Sequence, residues 1–207
     1  NKLYTAIEVV GLSVSLAFVI LMSAYVIGNM SYDREIKDKD EIYLCHNIGF
    51  ATSYSFLEDE FTMYPEIREF CQFGRAPIGI FVEGELTQDS NPLWVTDNFF
   101  SFLQFKLVAG DVDEVLKKDF SAVVSESFAE RYFSGENPIG KSIECDYIDN
   151  RMAFIITGVF KDVKNSYILN SDVLVNQKTL TSQIEGWYAC ANLVRFNGNP
   201  DKDQLAH

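Results

Sequence analysis

The sequence predicts an α+β protein: one long apolar helix, then a domain in which short strands mix with short helices. Three observations carry that prediction. From Val9 to Met30, 22 consecutive residues lack a charged side chain. Beyond them, apolar residues recur at period two in some runs and at helical spacing in others. The chain is also 47% hydrophobic, with 17 Phe and 10 Tyr in 207 residues. That supply of large apolar side chains excludes disorder and suffices for one or two domains with a real core.

The first element is the apolar run. At 1.5 Å per residue it spans about 33 Å, against a hydrocarbon core of about 30 Å. A buried core helix of that length would carry a polar stripe, and this one offers little beyond Ser and Gly. It is longer than the apolar region of a signal peptide, and no clear small-x-small site follows it. Residues 1–30 therefore read as a transmembrane helix. Gly11 and Ser15, like Ser13 and Ala17, lie four apart on one face, where small residues let helices approach closely in lipid. The general abundance of Gly and Ser in membrane spans explains the same pattern. Lys2 is the sole basic residue before the span, and Arg34, Lys37 and Lys39 follow it among five acidic residues. Counting Lys and Arg alone would put the larger part in the cytoplasm.

Residues 31–40 form a charged connector. Glu41–Ile48 alternates and reads as the first strand, carrying His46. Phe56, Leu57, Phe61 and Tyr64 then repeat at helical spacing over an acidic face at Glu58, Asp59 and Glu60, until Pro65 ends the helix. Two or three strands are expected from Ile67 to Thr87, among them Ile78–Val82 with a partner around Pro92–Thr96. Asp97 or Asn98 can cap a short aromatic helix through Phe99, Phe100 and Phe102. Val108–Asp111 reads as a turn and Val112–Lys117 as a short helical piece. Ala122–Val124 is a strand-like run, followed by Ser125 or Ser127 as N-cap, with Ser127 and Glu130 at capping-box spacing. Phe128, Ala129, Tyr132 and Phe133 continue that helix to Gly135. Ser142–Ile148 alternates, and Met152–Phe160, Asp172–Asn176 and Ala191–Phe196 supply further strands.

Gly135-Glu-Asn-Pro-Ile-Gly-Lys-Ser142 satisfies the letter of the P-loop pattern G-x-x-x-x-G-K-[ST]. A P-loop leaves a strand and feeds a helix whose N-terminus faces phosphate. Here the order is reversed, since a helix runs into Gly135 and a strand leaves Lys141. Pro138 also lacks an N–H for a phosphate cradle. The segment reads as a structural turn. Other chemistry is equally sparse: there is no G-x-S-x-G, H-E-x-x-H, paired metal-ligand spacing or dinucleotide fingerprint. The two histidines, His46 and His207, suggest no catalytic pair. Asn197, Asn199, Asp201 and Asp203 alternate like the start of a calcium loop, but the sixth-position Gly and twelfth-position Glu are missing. A polar loop is the default there. Residues 31–207 hold 16 of the 17 Lys and Arg and 29 of the 30 Asp and Glu, a net charge of 16 − 29 = −13. Such a domain repels nucleic acid and anionic lipid faces. Cys45, Cys71, Cys145 and Cys190 allow three disulfide pairings in an oxidising compartment, or are simply buried thiols. The start without Met and the featureless end read as an excerpt of something longer.

Residues Ala122–Ile143, followed by Ile155-Ile-Thr-Gly-Val-Phe-Lys-Asp162, closely resemble the extracytoplasmic core domain of MacB/FtsX-type ABC transporter permeases. Asn1–Ile7, Gly11-Leu-Ser13 and Ser31-Tyr-Asp33 resemble the first span of such permeases, especially those typical of Bacteroidetes. Asp97–Phe102 and Leu107–Asp111 fit the same pattern, so the resemblance covers nearly the whole chain. It implies a non-catalytic permease subunit of the inner membrane, without cofactor or bound metal, whose ATP is hydrolysed by a partner ATPase. It also implies a second permease copy or paralogue, and an adaptor or substrate protein as a further partner. The domain at 41–207 would be periplasmic, overriding the Lys and Arg count. A membrane-proximal α/β subdomain is expected at about 41–70 and 171–207, with a β-rich subdomain inserted at about 71–170. Ala129, Asn137, Pro138, Gly140, Lys141 and Gly158 would be structural determinants of the family motif, and Gly11 and Ser15 helix-packing positions. The alternative class is a ligand-sensing domain of a membrane-anchored receptor. Three further spans beyond His207 would fit the permease, whereas one span and a signalling domain would fit the receptor.

Overall fold

The computed structural model describes residues 2–30, 32–33, 36–45, 63–75, 79–87, 92–147, 150–163, 166–183, 190–198 and 200. The chain forms two compact units, Asn1–Arg34 with Val163–Asn170, and Glu35–Asp162 with Ser171–His207. The first is built on α1 (Lys2–Asn29), 28 residues and hence about 42 Å long. Within it Tyr4–Asn29 has a mean hydropathy of 2.3. All its described side chains are exposed, so apolar groups surround the whole circumference rather than one stripe, as a lipid-facing helix requires. Ser13 and Ser15 donate their hydroxyls to the carbonyls of Val9 and Gly11 at 2.7 and 2.9 Å. Both hydroxyls are thereby satisfied inside the helix, where lipid offers no partner.

In the second unit, a 3₁₀ turn at Lys39–Glu41 leads into β1 (Ile42–Cys45), β2 (Ile67–Arg75), β3 (Gly79–Val82), β4 (Glu85–Leu86) and β5 (Leu93–Val95). Helix α2 (Phe99–Leu103) and β6 (Leu107–Ala109) follow, then β7 (Ser121–Ser125), α3 (Glu126–Phe133), β8 (Ser142–Tyr147) and β9 (Asn150–Phe160). The last elements are β10 (Val173–Asn176), α4 (Gln177–Gln183) and β11 (Cys190–Phe196). The strands make one mixed sheet of order β1-β11-β2-β5-β10-β7-β9-β8-β3-β4, with β6 beside β9. The pairs β5–β10 and β7–β9 are parallel.

Burial follows the sequence pattern. Leu93-Trp-Val, Ser121–Ser125 and Val173-Leu-Val-Asn are near-continuous apolar runs, and every residue in them is buried. These are the strands next to a parallel partner, covered on both faces. On one face Trp94, Ala122, Val124, Ile143, Phe154, Ile156, Val173 and Val175 join Phe128 and Phe133 of α3 in a continuous core. Elsewhere Phe99 lies edge-on to Phe73 and Phe100, with centroids 6.3 and 5.6 Å away, and Phe99, Phe100 and Phe102 are fully buried. The aromatic run at 99–102 therefore contributes packing, which a five-residue helix needs to persist.

Several expectations require correction. Ile78–Val82 was expected to pair with Pro92–Thr96, but β3 pairs with β4 and β8, while β5 lies between β2 and β10. The cause is local: Glu83 and Gly84 both adopt positive φ, 53° and 86°, giving a two-residue hairpin turn that returns the chain at once. The cap of α3 is Ser125, whose side chain accepts the Phe128 N–H at 3.0 Å, so Ser127 and Glu130 form no capping box. Asn98 sits at the N-cap of α2 without a capping hydrogen bond; its amide instead donates to the Phe70 carbonyl at 2.8 Å. Val112–Lys117 forms hydrogen-bonded turns rather than a helix, and Val108 and Ala109, expected to open a turn, belong to β6, with the bend at Gly110. Helix α4 was not expected. It lacks apolar periodicity, and is started by Asn176, whose side-chain oxygen accepts the Thr179 N–H at 3.2 Å. Of the helix expected at 54–64, Met63 and Tyr64 are described and lie in a turn and irregular backbone, while 54–62, the strand residues 46–48, both histidines and most of the 197–203 loop lie outside the described residues.

Two consequences of core packing are measurable. A Cβ at Gly74 would lie 2.0 Å from the Trp94 ring, so Gly74→Ala must displace that indole. It is expected to destabilise the domain by about 1–3 kcal/mol, with red-shifted tryptophan emission during urea unfolding. Cys71, Cys145 and Cys190 are free thiols. Burial pushes Cys71 up to about 12, against a partly compensating hydrogen bond from Thr96, and burial alone pushes Cys145 up to about 12. In the folded state these thiols hold their protons where the unfolded chain has lost them. Their contribution is therefore present below the unfolded value of 9.0 and is lost as pH rises from there toward 12. Iodoacetamide at pH 8 should leave Cys71 and Cys145 unmodified until denaturant is added, as read by peptide mass spectrometry. The alkaline loss of stability should be shallower in Cys71→Ala.

Candidate functional site

The motif residues fall at the α3–β8 turn and on the strand beside it. Ser134 and Gly135 both take positive φ, 49° and 78°, ending α3, and the Glu136 N–H closes on the Phe133 carbonyl at 2.9 Å. Asn137 accepts the Ile139 N–H at 3.1 Å through its side chain, an Asx turn. Pro138 is buried and its carbonyl accepts the Lys141 N–H at 3.0 Å. Gly140, at φ 89°, donates to the Ile156 carbonyl at 2.8 Å, and Ile156 returns the bond to Lys141 at 2.8 Å. The Lys141 ammonium pairs with Glu136 and lies 5.2 Å from the centroid of the Phe133 ring. That pairing holds the Glu136 carboxyl below its ordinary range.

This geometry accounts for each residue. The backbone N–H groups of 136, 139, 140 and 141, which a phosphate cradle would aim at an anion, are spent within the turn and on β9. Helix precedes the turn and strand follows it, the reverse of a P-loop. Ala129 is half-buried on α3 against the core. Gly158 is buried on β9, where a Cβ would meet Val115 at 2.7 Å and the Ala109 carbonyl at 3.1 Å, so a close approach of three segments depends on its lacking a side chain. Gly11 and Ser15 lie on the exposed surface of α1, away from this cluster in sequence and outside its unit.

A second cluster, not signalled by any motif, surrounds the start of α3. The Ser125 hydroxyl donates to Asp172 at 2.8 Å while accepting the Phe128 N–H. The Ser125 N–H donates to the Asp172 carbonyl at 2.8 Å, and Arg131 pairs with the Asp172 carboxylate at 3.8 Å. Ser127 donates to Asp162 at 3.1 Å through its hydroxyl and at 3.3 Å through its N–H. Both carboxylates thus lie at the N-terminal end of a helix, where the backbone dipole favours negative charge. They also bracket the β9–β10 connection, holding its two ends against the first turn of α3.

The first unit has its own polar cluster. Beyond α1, Asp33 at φ 51° accepts the Ser166 hydroxyl and, at 3.2 and 3.3 Å, the Tyr167 N–H. Ser166 in turn accepts the Leu169 N–H at 2.9 Å, and Tyr32 stacks on Tyr167 with ring centroids 4.1 Å apart and planes at 23°. Sequence reasoning gave Tyr32 and Asp33 only as part of a resemblance and passed over Ser166 and Tyr167. A serine and a tyrosine in a polar loop carry no periodicity. Among the described residues, no group of three or more His, Cys, Asp or Glu is arranged to hold a metal ion.

A helix long and apolar enough to cross a membrane, followed by a mixed-sheet domain with a helix–turn–strand motif, defines an α+β domain with a candidate membrane anchor. The chain belongs to the MacB-like periplasmic core domain family, whose model matches residues 5–206. Its fold is shared by the periplasmic region of MacB from Actinobacillus actinomycetemcomitans, with TM-score 0.60, 16% identity, and coverage of 86% of this chain and 84% of that one. It is shared too by a domain of a Porphyromonas gingivalis protein described as a permease, with TM-score 0.63, 17% identity, and coverage of 83% and 79%. The extracellular domain of the noncanonic ABC-type transporter YknZ from Gram-positive bacteria matches with TM-score 0.53, 13% identity, and coverage of 80% and 86%. No curated protein matches the chain.

The two clusters of the second unit should differ in weight. Ser125→Ala removes a helix cap and strips Asp172 of a donor, and should cost about 1–2 kcal/mol in urea unfolding. Lys141→Ala breaks an exposed ion pair and should cost less than about 1 kcal/mol. The reverse ranking would mean that the turn, not the cap, anchors α3.

Proposed function

We propose that the chain is the first span and periplasmic domain of an ABC transporter permease subunit that uses ATP hydrolysed by a partner ATPase to move its periplasmic domain. The observation that carries this reading is the join. A helix suited to the bilayer ends at Asn29, and four residues later Asp33 holds the β9–β10 connection of a family domain. A long helix whose end is hydrogen-bonded to a loop of the same domain is suited to passing displacement rather than solute.

In this reading the domain is periplasmic and the span lies in the inner membrane, so the small Lys and Arg excess after the span is outweighed. Gly11 and Ser15 would face another span of the permease, because a lone anchor has no use for a close-packing surface. Ala129, Asn137, Pro138, Gly140, Lys141 and Gly158 would fix the α3–β8–β9 geometry rather than bind a ligand. The inserted region at about 71–170 would form the β-rich part, and 41–70 with 171–207 the membrane-proximal part. The partners are the cognate ATPase, a second permease copy or paralogue, and an adaptor or substrate protein in the periplasm.

The test uses the full-length permease with its ATPase in nanodiscs, spin-labelled at the exposed position Glu130→Cys, with distances read to a fixed label on the second permease subunit. ATP with vanadate should shift the distance distribution, whereas a catalytically dead ATPase should abolish the shift. A label that never responds to nucleotide, in a protein that instead binds a periplasmic ligand, would favour the receptor class.

A further inference from the structure

Resting on that coupling reading, we propose that Asp33 is a clasp: it fastens the outer end of α1 to the β9–β10 connection and carries helix displacement to the sheet through that connection, beside the backbone link that follows it. The bond closes a separation of 133 residues between Asp33 and Ser166. It lies almost at the helix end, since the Met30 N–H still bonds to Val26 and the Tyr32 N–H to Asn29. Axial movement of α1 therefore reaches Asp33 with little slack.

The carboxylate is well placed for the task. Its φ of 51° turns the chain immediately after the helix, a conformation Asp tolerates better than most residues. One oxygen accepts both the Ser166 hydroxyl and the Tyr167 N–H, and the other reaches the Tyr167 N–H. Hydrogen bonds to an ionised acceptor are roughly twice as strong as neutral ones. The Tyr32–Tyr167 stack covers the same contact with apolar surface. Ser166, which donates to Asp33, also accepts from Leu169, so the grip is on a folded turn rather than on a slack strand.

On the sheet side, the same connection is held at both ends. Asp162, just before it, accepts from Ser127, and Asp172, just after it, accepts from Ser125 and pairs with Arg131. The strands it joins, β9 and β10, are the two neighbours of β7. Along the chain, Ser166 lies four residues after Asp162 and Leu169 three before Asp172, so the backbone joins the clasp to β9 and β10. The other link from α1 to the second unit is the backbone that follows Asp33, on which Ile36 is already buried and which continues to β1 at the sheet edge.

The experiment uses the full-length permease with its ATPase in nanodiscs, carrying one spin label at Tyr25→Cys on the helix or at Glu130→Cys on the domain. Distances are read to a fixed label on the second permease subunit. Hydrogen exchange at the Tyr167 amide reports the clasp itself. In Asp33→Ala, Tyr167 should exchange about ten- to a hundredfold faster, ATP should still shift the Tyr25 label, and the shift at Glu130 should fall at least about threefold. Unchanged Tyr167 exchange would overturn the clasp, as would a Glu130 shift equal to that of the unsubstituted protein. Loss of both shifts would also overturn it, because Asp33 would then act on the helix. If the unsubstituted permease shows no ATP-driven Glu130 shift, the coupling reading fails and the proposal with it. Should Asp33→Ala not fold, Ser166→Ala removes only the hydroxyl and is held to the same outcomes.

Discussion

Burial of β5, β10 and β7 on both faces is the constraint from which the rest of the fold follows. Leu93–Val95, Val173–Asn176 and Ser121–Ser125 are wholly buried, so their backbone groups have no recourse to water and must pair within the sheet. That fixes which strands sit at the centre. It also means that the ends of these strands are the first places where polar side chains can serve structure. Ser125 at the end of β7 and Asn176 at the end of β10 each start a helix by accepting an N–H three residues on. Each also bonds elsewhere, Ser125 to Asp172 and Asn176 to the Leu116 carbonyl. The helices are thus held where the central strands end.

The motif turn is a second-order consequence of the same centre. Once α3 is started by Ser125 and packs Phe128 and Phe133 on the core, the chain must reverse to place β8 beside β9. Positive φ at Ser134, Gly135 and Gly140 makes the reversal possible, and the Asn137 side chain with the Pro138 carbonyl closes it. Glycine at 135 and 140, proline at 138 and asparagine at 137 are each the residue type that their local backbone favours. The resemblance to a nucleotide-binding loop follows from shared turn chemistry and nothing more.

Much of this was legible in the sequence because it depends on local pattern. The apolar helix, the strands at 122–124, 152–160, 172–176 and 191–196, and the helix–turn–strand order around Gly135 all announce themselves through periodicity or turn residues. What escaped depends on distant partners. The pairing of Ile80 and Phe81 with β8 rather than β5 is decided by a tight turn at Glu83-Gly84 that hydrophobic pattern alone underweights. The cap at Ser125 wins over Ser127 because Asp172 and Asp162, 47 and 35 residues away, recruit the two hydroxyls separately. Helix α4 hides because the buried positions among its described side chains are polar, Gln177 and Thr179. For the candidate site the contrast is sharper. The motif residues could be named, yet Asp33, Ser166 and Tyr167 come together across more than half the chain, and no local rule connects them.

That contrast bears on how such a domain could work. A catalytic site concentrates its information in a few reactive groups, which sequence often betrays. A mechanical part concentrates it in stiffness and attachment. On the proposed coupling function, stiffness would come from a helix of about 42 Å and from a sheet centre buried on both faces. Attachment comes from four acceptor or donor side chains, Asp33, Ser166, Asp162 and Asp172, none of which is chemically unusual. Stiffness is spread over many residues, so single substitutions in the core lower stability without selectively uncoupling motion. The side-chain part of the attachment is confined to a few hydrogen bonds, so a substitution there can leave both bodies folded and joined by backbone yet less tightly coupled. The separation of those two phenotypes is the physical signature that distinguishes a lever from a merely anchored domain.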